Sequence, residues 1–459
     1  MTKVLLVQPN FNVNVEKAYD ACLPLPLIYI GTFLNKNGHE AKIFDRSLHS
    51  DNRDFIRALK QFNPDIVYTN VIMGRLIFDC ITFSKIAKSH SDALVIWGGI
   101  LPTLRPAIPL NSGYVDFVIR GETEETMLDI ANTFKARKTR ETISKLRNVN
   151  YNPSRPRMDL DLLAEPDYEL VDVKKYTDFG VITSRGCPYR CAFCYIDGYW
   201  KSLHLEKWRG MSTDKAINMI RNLVTKYNIR DIAIYDDNFP TDKKRAIEIM
   251  HGISDLGLKI FILGRTNYCQ DDIMQAYKKA GVWTIQIGFE SGSQRMLNFM
   301  KKDVTVQQMK YAVKQCKKYK ILCEGSFVIG FPEENVADLS ETVKFIKQNT
   351  PDYAGIKLYH PYPETDFYDY CIKNRLITEP KRLEDWGNVS VFNWANINVS
   401  KIPTDVLMKT KANIERFLFM KSYSRKLFRM LLSGRIPKFS KILNASKHIL
   451  SLWTNKPIQ

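Results

Sequence analysis

Short β-branched runs separated by longer stretches of helical periodicity occur in two successive series along this chain, and that alternation restricts it to α/β architectures built on parallel sheets. In the first series the predicted strands are Val4–Gln8, Ala41–Asp45, Asp65–Val71, Ala93–Gly98 and Val115–Ile119, with a closing helix near Thr123–Lys135. Five strands with four crossovers make a doubly wound, Rossmann-like domain over residues 1–137, whose ligands sit beyond the carboxyl ends of the strands. The loops at those ends read Gln8-Pro9-Asn10, Asp45-Arg46-Ser47, Thr69-Asn70-Val71, Gly98-Gly99-Ile100 and Gly121-Glu122-Thr123. Residues 138–175 lose the periodicity, collect Pro153, Pro156 and Pro166 among many charges, and read as a linker. The second series predicts strands at Gly180–Thr183, Asp231–Tyr235, Lys259–Leu263, Trp283–Gly288, Leu322–Ile329 and Tyr353–Leu358. Six βα units over 176–375 predict a partial (β/α)6 barrel of TIM type, with its chemistry at the carboxyl ends of the strands. Residues 376–459 are left as a basic helical region.

Composition narrows the class further. A length of 459 residues suggests two or three domains at about 150 residues each, and 45% hydrophobic with 25% charged residues excludes wholesale disorder, collagen and a disulfide miniprotein. No uncharged stretch reaches the roughly 18 apolar residues of a membrane span. Met1–Asn10 lacks the h-region and cleavage site of a secretory signal, so the mature chain is expected to begin at Met1 and to work in the cytoplasm. Nine cysteines are an odd number, and three of them crowd together, which suits a reducing compartment and a metal site better than a disulfide framework.

That crowd is Ser184-Arg185-Gly186-Cys187-Pro188-Tyr189-Arg190-Cys191-Ala192-Phe193-Cys194, a CxxxCxxC spacing directly after the first strand of the second series. Thiolates are the ligands of iron–sulfur clusters, and one tight loop can present three of them to a 4Fe-4S cube, leaving one iron open to a substrate or cofactor. Zinc is the alternative; a structural zinc wants four ligands, and His204 is the one candidate for the fourth.

With this motif in place the chain resembles the radical S-adenosylmethionine enzymes that carry an N-terminal cobalamin-binding domain. The resemblance covers roughly residues 3–375 and continues through Tyr235-Asp236-Asp237-Asn238-Phe239, Gly288-Phe289-Glu290-Ser291-Gly292-Ser293, Gly325-Ser326-Phe327-Val328-Ile329-Gly330-Phe331-Pro332 and Pro361-Tyr362-Pro363-Glu364-Thr365. It implies that Cys187, Cys191 and Cys194 ligate the cluster and that Phe193 lies against the adenine of S-adenosylmethionine. It likewise implies cofactor contacts for Asp236, Arg265, Glu290, Ser291 and Ser326. In such enzymes the open iron chelates the amino and carboxylate groups of S-adenosylmethionine, and one electron cleaves a carbon–sulfur bond to give methionine and a 5′-deoxyadenosyl radical. Each lesser position also has an ordinary reading: paired acids cap strand ends, glycines shape turns, and strand-end arginines pair with carboxylates.

The first strand ends in Gln8-Pro9-Asn10 rather than GxGxxG, so a dinucleotide fingerprint is absent. The Asp-x-His-x-x-Gly loop that supplies a lower histidine ligand in many cobalamin proteins is absent too, and His39, His49 and His90 stand in other contexts. The resemblance still implies cobalamin, held without a protein ligand below cobalt, along a rim of Gln8, Asn10, Thr69, Gly98, Gly99, Gly121 and Glu122, whose glycines let a corrin approach the backbone. Two molecules of S-adenosylmethionine would then serve one C-methylation. Ring closure, oxidation or carbon–carbon coupling are the outcomes in relatives with the same two domains; a methylthiotransferase or a non-catalytic sensor ranks below them.

Formal charge is +18, and residues 401–459 hold 13 basic against 2 acidic residues. Apolar groups such as Phe417-Leu418-Phe419-Met420 and His448-Ile449-Leu450-Ser451-Leu452-Trp453 alternate there with lysine and arginine. The pattern reads as a pair of helices closing the barrel, as a peripheral contact with the inner membrane face, or as a dock for a flavodoxin- or ferredoxin-type electron donor. No nucleic-acid module is present, and the substrate is expected to be a small molecule or lipid.

Overall fold

The computed structural model describes residues 1–10, 23–49, 51–136, 140–176, 179–388 and 397–432, with side chains of the last helix as far as Lys421. The first sheet holds β1 (Lys3–Gln8), β2 (Glu40–Asp45), β3 (Ile66–Asn70), β4 (Leu94–Gly98) and β5 (Phe117–Val118), all parallel, in the order β2-β1-β3-β4-β5. Apart from the edge strand β2, its strands read as largely apolar runs because both faces are covered. Val4, Leu6, Ile66, Tyr68, Leu94 and Ile96 enter one buried cluster, whereas Leu5, Val7, Val67, Val95 and Trp97 enter the other. In this order the chain reverses direction across the sheet between β1 and β3, and ligands of such sheets lie at the carboxyl ends beside that switch.

The predicted strand at Val115–Ile119 is shorter than expected. Only Phe117 and Val118 pair with β4; the Ile119 amide still donates to the Trp97 carbonyl at 2.8 Å, and Ile119 also bridges Val149 in antiparallel fashion. Val149 belongs to the segment read as a linker, which is instead packed into the fold. Met158, Leu160, Leu163 and Tyr168 are buried, and the Tyr168 hydroxyl donates to the Gly180 carbonyl at 2.7 Å.

The second series forms β6 (Phe179–Val181), β9 (Asp231–Ile234), β10 (Lys259–Gly264), β11 (Val282–Glu290), β12 (Leu322–Ile329) and β13 (Tyr353–Leu358), a six-stranded parallel sheet in that sequential order. Between β6 and β9 stands an antiparallel ribbon, β7 (Ser184–Gly186) with β8 (Trp208–Gly210). The chain clusters into two compact units: Met1–Leu263 with Lys279–Val282 and His360–Ile397, and Gly264–Lys278 with Trp283–Tyr359 and Asn398–Gln459.

In the first unit Leu383 and Trp386, from the helix Leu383–Gly387, complete one core cluster of the first sheet. In the second unit, helices begin where the side chains dictate. Thr305 with Gln308 and Asn335 with Asp338 form capping boxes at the starts of Val306–Tyr319 and Val336–Asn349. The basic region forms one continuous helix, Thr404–Leu432, which packs on β13 through Leu407 and Ile414. That corrects the expected pair of helices as far as Leu432; His448–Trp453 lie outside the described residues. No helix among the described residues is long and apolar enough to cross a membrane.

Candidate active site

The cysteine loop is built by its neighbours. Gly186 closes β7 at φ +85°, and a Cβ there would stand 1.8 Å from the Lys207 carbonyl oxygen, so only glycine fits the start of the loop. The loop then turns back through a Cys194 amide bond to the Cys191 carbonyl at 3.0 Å, and Cys194 begins the helix Tyr195–Ser202. That helix is held from below by the Pro361–Thr365 motif. Gly198 lies so close that a Cβ would be 2.1 Å from the Glu364 carbonyl oxygen, the Phe367 amide donates to the Ala192 carbonyl at 2.9 Å, and Tyr195 meets Tyr362 at 5.7 Å between ring centroids. Burial pushes the Cys194 thiol up to about 12, and Cys191 and Cys187 push it the same way, so the three sulfurs share one electrostatic neighbourhood. Among the described residues no three Cys, His, Asp or Glu side chains meet closely enough to hold a single metal ion. A 4Fe-4S cube takes one thiolate per iron and needs its sulfurs spread around it.

A cavity of about 300 Å³ lies beside this loop, entirely within the first unit. One wall comes from the carboxyl edge of the first sheet, with Asn70, Gly99, Gly121 and Glu122; the other comes from the cysteine-bearing segment, with Ser184–Gly186, Tyr195, Tyr199 and Trp200. Leu25, Ile30, Ile100 and Ile182 supply apolar surface between them.

The adjacent acids after β9 separate cleanly. Asp236 is fully buried and saturated: it accepts from the Thr183 amide at 2.5 Å, the Thr183 hydroxyl at 2.7 Å and the Ser184 hydroxyl at 2.6 Å. It therefore fixes the backbone that leads to the cysteines, a correction to the expectation of a cofactor contact. Its neighbour Asp237, the other member of the acidic pair read from the sequence, lines the cavity and accepts the Gly186 amide at 2.9 Å.

In the first unit four more of the expected rim residues have roles within the fold. Glu122 reaches the cavity wall, but its carboxylate is engaged by Arg185 at 2.9 Å and by Arg209 at 2.6 Å. Burial alone would push its pKa up; the two guanidiniums outweigh that and hold it below the usual range. Arg185 also pairs with the buried Glu124. Gly98 is needed by the sheet itself, because a Cβ would fall 2.4 Å from the Tyr68 hydroxyl. Gln8 bonds locally to the Pro9 carbonyl at 3.3 Å, and the Asn10 amide donates to Asp79 at 2.9 Å; neither lines the cavity.

The remaining rim fits a large cofactor. Gly99, at φ +100°, and Gly121, at φ +75°, present bare backbone to the cavity. Thr69 is buried at the end of β3, and its hydroxyl has no hydrogen-bond partner among the described residues. Such a group is satisfied when a polar ligand is present.

In the second unit, Glu290 ends β11 at φ +63° beside a register shift, buried against the Lys302 ammonium at 2.9 Å. Lys302 is a partner that no local sequence pattern announced. Ser291 is turned inward to Thr342 at 3.0 Å and accepts the Ser293 amide at 3.1 Å, so it shapes the turn instead of facing a ligand. Ser326 lies on the half-open face of β12, level with Gly288 and Gly355 on the flanking strands. Arg265 is buried immediately after β10, and Phe193 is half-buried between the second and third cysteines.

Residues 12–131 match the B12-binding domain model, and residues 181–346 match the radical SAM superfamily model. An uncharacterized methyltransferase of Pyrococcus horikoshii is 34% identical over 82% of this chain and 84% of its own. The chain belongs to the cobalamin-dependent radical S-adenosylmethionine methyltransferase family. Members of this family bind a 4Fe-4S cluster, S-adenosylmethionine and cobalamin, and the cysteine loop and the adjoining cavity have the chemistry for the first and the last. The anaerobic magnesium-protoporphyrin IX monomethyl ester cyclase of Rubrivivax gelatinosus is 25% identical over 80% of this chain and 69% of its own. The fold matches the radical S-adenosylmethionine methyltransferase TsrM from Kitasatospora setae, with a TM-score of 0.68 and 16% identity over 82% of this chain and 75% of that one. It also matches the cobalamin-dependent radical enzyme OxsB, with a TM-score of 0.63 and 20% identity over 82% and 56%.

Proposed function

We propose that this enzyme methylates an unactivated carbon of a small molecule, drawing on S-adenosylmethionine twice, and that the cavity beside the cysteine loop is where cobalamin binds. The observation that carries the reading is the double lining of that cavity. The carboxyl edge of a switch-point sheet forms one wall, and the segment bearing Cys187, Cys191 and Cys194 forms the other. When bound, the cluster supplies the electron that splits S-adenosylmethionine, and cobalamin supplies the methyl group.

The chain's own side chains bind, orient and exclude water. Cys187, Cys191 and Cys194 hold the cluster at three corners. Gly99 and Gly121 leave room for the corrin, and Asn70 offers polar atoms at its edge. Tyr195, Tyr199, Trp200 and Ile100 keep water from the reacting carbon. Phe193, Arg265, Glu290 and Ser326 are assigned to S-adenosylmethionine, with Lys302 paired to Glu290 at 2.9 Å. Asp236, Ser291, Glu122 and Gly98 keep supporting roles. A low-potential flavodoxin or ferredoxin is the electron source this chemistry needs, and the basic composition of residues 401–459 suits an acidic protein or an anionic membrane surface.

Anaerobic reconstitution with iron, sulfide and hydroxocobalamin tests the proposal, followed by S-adenosylmethionine and a strong reductant. Corrin absorbance, with both 5′-deoxyadenosine and S-adenosylhomocysteine formed, is expected. A loaded cluster with no corrin bound would remove the methyl-transfer reading, and no 5′-deoxyadenosine under any reductant would remove the radical one.

A further inference from the structure

Consecutive acids at a strand end usually cap or pair, yet Asp236 and Asp237 divide their work between two sides of the same backbone. Asp236 spends both oxygens on Thr183 and Ser184, which locks the strand exit. That lock turns the following side chain into the cavity. There Asp237 takes the amide of Gly186, the residue directly before the first cysteine, and Gly186 itself cannot shift, because its α-carbon is pressed against the Lys207 carbonyl. The carboxylate thus lines the cavity as an exposed group, held by the Gly186 bond at a fixed offset from the cysteine loop. Among the described residues no basic side chain is hydrogen-bonded to it or ion-paired with it; Arg185, the cation whose field reaches it, is committed to Glu122 and Glu124.

We propose that Asp237 is a positioning residue that fixes the entry to the cysteine loop through the Gly186 amide and, by its uncompensated charge, holds the reduction potential of the cluster low. A fixed negative charge beside an iron–sulfur centre opposes the addition of an electron, and net charge and local hydrogen bonding set such potentials. The lower the potential, the stronger the reductant the cluster becomes once it has accepted an electron. Asp237 therefore acts on the reaction through the cluster, without needing to touch the substrate. This inference rests on the assignment of Cys187, Cys191 and Cys194 as cluster ligands.

Asp237→Asn keeps an oxygen that can accept from Gly186 and removes the charge. An anaerobic redox titration of the reconstituted full-length protein, followed by the electron paramagnetic resonance of the reduced cluster, is expected to show four irons bound and a midpoint shifted positive of wild type. Asp237→Glu, which restores the charge, is expected to return most of the shift. Asp237→Ala, which loses the hydrogen bond as well, is expected to bind less iron. Asp231→Asn, at the exposed start of the same strand, serves as the charge control and is expected to leave the midpoint unchanged. If Asp237→Asn fails to assemble the cluster, Asp237→Ser decides the matter, because it is neutral and small and still polar. A wild-type midpoint in either neutral variant, or full iron loading with wild-type spectra in Asp237→Ala, overturns the inference. Wild-type protein that takes up no iron and sulfide overturns instead the assignment of the cysteines.

Discussion

Removing the Arg185 guanidinium tests how the cavity wall is held. Arg185 is 17% exposed and pairs with Glu122 and with Glu124, whose side chains are 16% and 6% exposed. In Arg185→Met, Glu122 still has Arg209 at 2.6 Å, but Glu124 is left buried with no cation hydrogen-bonded to it. Breaking a buried pair from one side costs about 3–5 kcal/mol, because the remaining charge loses its compensation. At roughly 2 °C per kcal/mol for a unit of this size, the melting temperature is expected to fall by about 6–10 °C. The double variant Arg185→Met with Glu124→Gln removes the orphaned charge and is expected to recover more than half of that loss.

The pH dependence has a definite sign. Glu122 is held below its usual value of 4.5 in the folded state, so its stabilising contribution is complete above that value and disappears as pH falls through the lower, folded-state value. Arg185→Met weakens that hold, and its acid unfolding is expected to begin at a higher pH than in wild type. Differential scanning calorimetry of the cobalamin-loaded and unloaded proteins measures all three quantities. A single variant that melts within 2 °C (on the order of 1 kcal/mol) of wild type, or a double variant no better than the single, would refute the reasoning.

Gly186→Ala places a methyl group 1.8 Å from a backbone carbonyl at positive φ, and is expected to cost about 2–4 kcal/mol and to lower the iron bound after reconstitution, read by iron-to-protein ratio. Ser291→Ala removes the bonds to Thr342 and to the Ser293 amide, so stability is expected to fall by about 1–2 kcal/mol with S-adenosylmethionine affinity unchanged in calorimetric titration; a loss of affinity alone would return Ser291 to the ligand. Burial pushes the Glu334 carboxyl up to about 7, against the amides of Gly330 and Phe331 that it accepts from. The folded state therefore holds a proton that the unfolded state releases, and stability is expected to decline from about pH 4.5 to pH 7, by roughly 3 kcal/mol at most. Glu334→Gln is expected to flatten that slope in chemical denaturation at several pH values.

The eleven principal strands were legible, in the first sheet because strands covered on both faces are apolar at nearly every position, and in the second because buried and half-open positions alternate, as along β12. The β7–β8 ribbon was not, since two three-residue strands carry no period. Residues 138–175 misled for a related reason: their buried side chains, Leu160, Leu163 and Tyr168, come from irregular turns whose apolar positions follow no repeat. At the site the cysteines were plain from spacing alone. Asp236 and Asp237 were both visible, but which of two neighbours faces inward depends on the strand's rotation. Lys302 stands twelve residues from Glu290 and was invisible.

The sequence by itself determined the parallel α/β class, the cysteine loop and the family, because these depend on residue type and short-range spacing, which the chain carries locally. Only the tertiary structure decided that Glu122, Ser291 and Gly98 serve the scaffold and that Asp237 faces the cavity. Those roles depend on what a side chain meets from distant parts of the chain: Arg185 and Arg209 for Glu122, Thr342 for Ser291, the Tyr68 ring for Gly98. Whether a polar atom is free for a ligand depends on whether the fold has already satisfied it, and that is a property of the packed molecule.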